Sequence, residues 1–107
     1  MKKITVKRRR YIDPFAPIRG EMMVESTGEL IVVSGFEFCL VRDEEYRKIH
    51  AIELSTGYAA ASIPLSTRGF KKLLIERLNS IPEDKMRKEI EKTLKKYKNI
   101  PLNPLNQ

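Results

Sequence analysis

Residues 21–65 read EMMVESTGELIVVSGFEFCLVRDEEYRKIHAIELSTGYAAASIPL. This run of apolar and β-branched residues is broken only by short polar clusters, the pattern of successive strands joined by tight turns. Met22–Glu25 and Leu30–Ser34 flank Ser26, Thr27, Gly28 and Glu29, a hairpin-turn signal. Phe36–Arg42 follows Gly35 as the next strand, and Asp43, Glu44 and Glu45 form a polar turn. Arg47–Leu54 and Ala59–Leu65 then flank a second Ser-Thr-Gly turn at residues 55–57. Gly28 and Gly57 are expected to supply positive φ at the two turns. Leu30 and Val32, then Phe36, Phe38 and Leu40, fall on alternate positions and define one buried face. Ile31, Val33, Cys39 and Val41 lie on the other, so part of that face is expected to be covered too.

Outward from this core the pattern changes. Residues 66–98 switch to a helical period, with Phe70, Leu73, Leu74 and Leu78 forming one stripe and Met86, Ile90, Leu94 and Tyr97 a second. Ser66 or Thr67 is expected to cap the first helix, and residues 80–83 fit a capping box with an early proline for the second. Residues 1–20 hold a possible short strand at Ile4–Val6, a basic run, and Pro14 and Pro17 among apolar residues expected to lie as an arm over the domain. The fold expectation is α+β: a four- or five-stranded antiparallel β-meander followed by two C-terminal α-helices packed on one face. Residues 1–20 are assigned to the arm, 21–98 to a single domain and 99–107 to an extended tail. The expected core comprises Val24, Leu30, Val32, Phe36, Phe38, Leu40, Ile52, Leu54, Ile63, Phe70, Leu73, Leu74, Leu78, Ile90 and Leu94.

Charge is laid out in blocks. Residues 1–20 carry a net +6, residues 21–45 a net −6, and residues 46–107 return to about +7, within a chain of 107 residues and overall charge +7. Such asymmetry bears on partners and favours an anionic one. Two basic elements stand out. Lys7, Arg8, Arg9 and Arg10 form a run of a kind that lies along phosphates or enters a minor groove. Arg68, Lys71 and Lys72 open the first helix with no acid before Glu76, whereas Glu83 and Asp84 open the second and lysines close it. Cations at a helix N-terminus oppose the macrodipole, so the site calls for an anion, and a phosphate backbone fits it. The alternatives are that carboxylates of the acidic block cover these cations, or that Gly69 delays the helix.

An open sheet followed by a helix with a basic start resembles, in architecture, the double-stranded RNA-binding domain, where lysines at a helix N-terminus meet phosphates. The chain departs from that family in having no helix before its strands and no alanine-rich packing face, so the resemblance implies no membership. Among the aromatics, Tyr58 at a turn tip is the best placed for base stacking.

Catalysis has little support. His50 is the only histidine and Cys39 the only cysteine, too few for a zinc site. No phosphate-binding loop, dinucleotide fingerprint or nucleophile elbow is present, and neither cofactor nor metal is expected. Cys39, within an apolar run, reads as a buried thiol of a reducing, cytoplasmic setting. No apolar run is long enough to span a membrane, and no secretory leader is expected. The leading functional expectation is a small basic nucleic-acid-binding accessory protein, of the kind carried by a phage or other mobile element. It would bind DNA or RNA through Lys7–Arg10, Arg68, Lys71 and Lys72. The alternative is a protein-interaction or inhibitory module, in one version a homodimer, supported by the acidic middle beside basic ends. The residues of the tail include a P-x-x-P spacing at 101–104, but folding back of Ile100, Leu102 and Leu105 onto the helices is the stronger expectation.

Overall fold

The computed structural model describes residues 2–11 and 21–103. Five strands, β1 (Lys3–Tyr11), β2 (Glu21–Val33), β3 (Phe36–Asp43), β4 (Lys48–Glu53) and β5 (Ala59–Pro64), precede two helices, α1 (Phe70–Asn79) and α2 (Glu83–Lys96). The strands make one antiparallel sheet in sequence order, so the fold is the expected α+β meander with C-terminal helices. No described helix is long and apolar enough to cross a membrane.

The strand boundaries differ from expectation at the start of the sheet. The basic run is not an irregular arm; residues 3–11 form a full strand in register with β2, from Lys3 opposite Glu29 to Tyr11 opposite Glu21. The apolar, proline-containing residues 12–18 lie outside the described residues. Nor is there a turn at Ser26–Glu29. β2 runs through it, and Gly28 pairs with Ile4. Gly28 is there for a close approach: a Cβ on it would lie 1.9 Å from the Leu40 carbonyl oxygen. The turn sits instead at Ser34 (φ 53°) and Gly35 (φ 82°), joining Val33 to its partner Phe36. Two consecutive positive φ values are what a two-residue hairpin needs to match strand twist. The second Ser-Thr-Gly turn forms as expected, with Gly57 at φ 75°.

β2 divides its pairing at Glu29. Its residues 21–29 pair with β1 and its residues 29–33 with β3. The first half, with β1, therefore swings across the sheet, and both faces become buried. On one face Ile31, Val33, Phe38, Leu40, Ile49, Ala51 and Ile63 pack against Leu74, Leu78 and Met86 of the helices. On the other, Val6 of β1 closes over Cys39, Val41, Ile52 and Leu54. Val32, expected in the core, is 61% exposed. With apolar residues at every position from Leu30 to Val33, alternation alone could not choose the buried pair, and the helices take Ile31 and Val33. Cys39 is fully buried, and burial raises its thiol pKa to about 11, which leaves it a packing residue.

The helix starts also differ from expectation. Gly69, in the left-handed region at φ 64°, precedes α1, and no side chain caps it. Ser80 does not open α2; its hydroxyl donates to the Arg77 carbonyl (2.6 Å) and so closes α1. Pro82 precedes α2, again without a side-chain cap, while Glu83 and Asp84 in the first turn and Lys95 and Lys96 in the last complement the dipole.

The outer edge of β1 is covered. The Arg9 amide donates to the Gly57 carbonyl (2.8 Å), and the Leu102 amide to the Ser55 carbonyl (2.8 Å). Asn103 bridges them: its Oδ1 accepts from the Lys7 amide (2.8 Å), and its Nδ2 donates to the carbonyls of Lys7 (2.8 Å) and Leu54 (2.9 Å). The tail thus folds back onto the sheet edge rather than onto the helices. Leu102 lies against Gly57, while Ile100 is 66% exposed and Leu105 is outside the described residues.

Candidate nucleic-acid interface

Neighbouring residues of a strand face opposite ways, and this separates the four cations of the basic run. Lys7 is exposed on the outer face, directly across from Glu25. Arg8 turns inward and is 6% exposed, so it is withdrawn from any phosphate, contrary to expectation. Arg9 is half-buried: its Nε donates to the Thr56 carbonyl (2.9 Å), and its guanidinium stacks 3.6 Å from the centre of the Tyr97 ring and 5.9 Å from that of Tyr58. The side chain of Arg10 lies outside the described residues. Of the expected arm, only Lys7 is placed on the surface by the described side chains.

At the start of α1 the expected cations are exposed. Lys71 is bound by the carboxylate of Glu29, which is largely buried and stands opposite Lys3 across the strands. Lys71 and the outer face of β1 therefore meet at Glu29. Arg68 lies before the helix, because Gly69 delays its start to Phe70, and Lys72 lies in the first turn. Neither Arg68 nor Lys72 has a carboxylate partner among the described residues. The first turn holds no acid, and its amide groups receive no side-chain cap. One of the three cations is thus neutralised from within the protein and two are left to solvent.

Sequence reasoning missed what Arg8 does. A string of polar side chains crosses the inner face with one member from every strand. Arg8 (β1) donates through Nε to Ser26 (β2, 2.9 Å), and both its terminal nitrogens lie 3.4 Å from Oδ2 of Asp43 (β3). That same oxygen is 3.2 Å from Nε2 of His50 (β4), whose Nδ1 is 2.6 Å from the hydroxyl of Ser62 (β5). The other Asp43 oxygen accepts from the Tyr46 amide (3.1 Å), which fixes the β3–β4 turn. A neutral ring with its proton on Nε2 donates to Asp43 and accepts from Ser62, so one tautomer satisfies both bonds. Burial lowers the His50 pKa from 6.5, opposed by the bond to Asp43 and its charge, and reinforced by Arg8 and Lys48. Ser, His and Asp in series are the residue types of a nucleophile, base and orienting acid. Here the acid is tied to a buried arginine and the string spans the whole sheet, which makes it a brace between strands. Removing one partner of such a buried ion pair strands a charge at a cost of about 3–5 kcal/mol. Nothing in the sequence announced it, because strand pairing brings together residues up to 54 positions apart.

A groove of about 640 Å³ runs between α2 and the start of β5. Its floor is apolar, from Ala59, Ala60, Ile81, Met86 and Ile90, and Tyr58 forms a wall. The Tyr58 hydroxyl is 3.1 Å from that of Tyr97, which holds the ring in place. Lys85, Lys92 and Lys96 line the rim with Glu89, on one face of α2. Glu53 also borders the groove, but its carboxylate accepts from the amides of Ser55 (2.9 Å) and Thr56 (3.0 Å) and from the Ser55 hydroxyl (2.6 Å). That β5 would lie opposite these lysines was not legible in the sequence. No cluster of three or more potential metal ligands occurs among the described residues. Comparison with protein-family models, with curated proteins and with solved structures finds no match.

Proposed function

We propose that this chain binds nucleic acid by its phosphates, at the start of α1 and the adjoining outer face of β1. The observation that carries the reading is the first turn of α1. Exposed cations surround uncapped amide groups there, with no acid in the turn and no carboxylate on Arg68 or Lys72 among the described residues. Amides, dipole and side chains all favour an anion at that point. Lys71 beside it is held by Glu29 yet stays exposed, and the exposed Lys7 stands on the outer face of β1 across from Glu25. Arg8 has no part in this surface. Exposed basic side chains outnumber exposed carboxylates by about two to one over the described residues, which supports long-range attraction of a polyanion.

Filter binding to DNA and RNA over a salt series tests the reading. Affinity is expected to fall steeply with salt, and the Arg68→Gln/Lys72→Gln double variant to flatten the log–log slope by about 1.4–1.8 through loss of two phosphate contacts. Absence of binding at low salt, or a slope that the double variant leaves unchanged, overturns it.

A further inference from the structure

We infer that the groove between α2 and β5 is a second contact surface, which takes single-stranded nucleic acid. The inference rests on the reading of the protein as a nucleic-acid binder and names the strand form. Two requirements of single-strand binding meet in this groove: a cationic rail that follows the backbone, and an aromatic face on which a base stacks. Lys85, Lys92 and Lys96 recur at i, i+7 and i+11 along α2 and line the same groove. At 1.5 Å rise per residue Lys92 and Lys96 stand about 6 Å apart along the helix axis, close to the step between phosphates of an extended strand. Tyr58 forms the facing wall and is held there through Tyr97. The apolar floor between, with Met86 and Ile90, suits the flat faces of unstacked bases, and the volume of about 640 Å³ falls within the range of small-ligand sites. A duplex keeps its bases stacked inside and cannot offer them to such a floor. The lysines decide the charge of the occupant: Glu53 is turned into its own turn by three hydrogen bonds, which leaves Glu89 as the carboxylate on the rim.

Fluorescence anisotropy with a labelled oligothymidine and a labelled hairpin duplex, on the full chain, tests this. Lys92→Gln/Lys96→Gln is expected to weaken oligothymidine binding about tenfold or more and to flatten its salt slope by about 1.4, while leaving the duplex unaffected. Tyr58→Leu, which removes the aromatic face, is expected to lose roughly tenfold on oligothymidine alone, and Tyr58→Phe, which keeps the ring but not its bond to Tyr97, to lose less. Unchanged oligothymidine binding in the lysine double variant overturns the inference while leaving the wider reading standing. Failure of the wild type to bind either probe overturns both. Polyglutamate that binds the groove where oligothymidine does not overturns the inference in favour of an acidic polypeptide.

Discussion

His50 sits between a carboxylate and a hydroxyl on the buried side of the sheet, where its neutral ring satisfies both bonds. Its pKa is lowered in the fold, chiefly by burial. The unfolded chain therefore takes up a proton near pH 6.5 that the folded protein resists. The stability this provides is complete above pH 6.5 and declines as pH falls through the folded-state value. Urea unfolding of the wild type between pH 7.5 and 5 is expected to show this decline, and His50→Gln to reduce it. Equal pH dependence in the two proteins would falsify the assignment. Arg8 carries the companion lesson. It is the first of three consecutive arginines, yet it alone of Lys7, Arg8 and Arg9 meets Asp43 in the interior. Which member of a charge run turns inward depends on strand phase, and that phase is set by Val6, two residues earlier on the same buried face.

From β3 onward the order and type of the elements were legible because each kind of periodicity was present over enough residues, as in the α1 stripe of Phe70, Leu73, Leu74 and Leu78, whereas β1 was hidden in a charge run. The turns were less so. Ser-Thr-Gly at 26–28 and at 55–57 are identical triplets, yet one is continuous strand and the other a turn. The difference is tertiary: Gly28 lies against the backbone of Leu40, and Gly57 borders β1 and the tail. Two substitutions to alanine separate the uses of glycine. At Gly35 there is open space, so Gly35→Ala pays only for positive φ, about 1–2 kcal/mol. At Gly28 a methyl group meets immovable backbone, and Gly28→Ala is expected to lose about 3 kcal/mol or more. Urea midpoints for the pair check the ranking, and a milder effect at residue 28 than at residue 35 contradicts this account of the bend in β2. The candidate interface was legible where it depended on helix position, as for Arg68 and Lys72. It was not where it depended on what a strand or turn would place alongside, as for Arg9 under Tyr97 and for Tyr58 facing the lysines of α2.

Over the whole molecule, the β1 edge is closed at Lys7 by a single amide side chain, beside the Gly57 carbonyl that takes the Arg9 amide. Asn103 offers an acceptor to the Lys7 amide and donors to two carbonyls, the pattern a passing strand would present. Asn103→Ala is expected to destabilise the fold by about 1–3 kcal/mol. Asn103→Asp is expected to do worse, since it turns an oxygen toward the carbonyls of Lys7 and Leu54. Hydrogen exchange gives the sharper check: the Lys7 amide is expected to lose protection in Asn103→Ala while the Arg9 amide, held by Gly57, keeps it. Equal protection of Lys7 in variant and wild type contradicts the bridging role. This closure also orders events in time. On a ribosome β1 emerges long before Leu102 and Asn103, so the edge at Lys7 stays open while the intervening residues are made. An open edge is a template for pairing with another nascent chain. Lys3 and Lys7 stand exposed on that same strand, and lysines on an open edge oppose its pairing with a second chain.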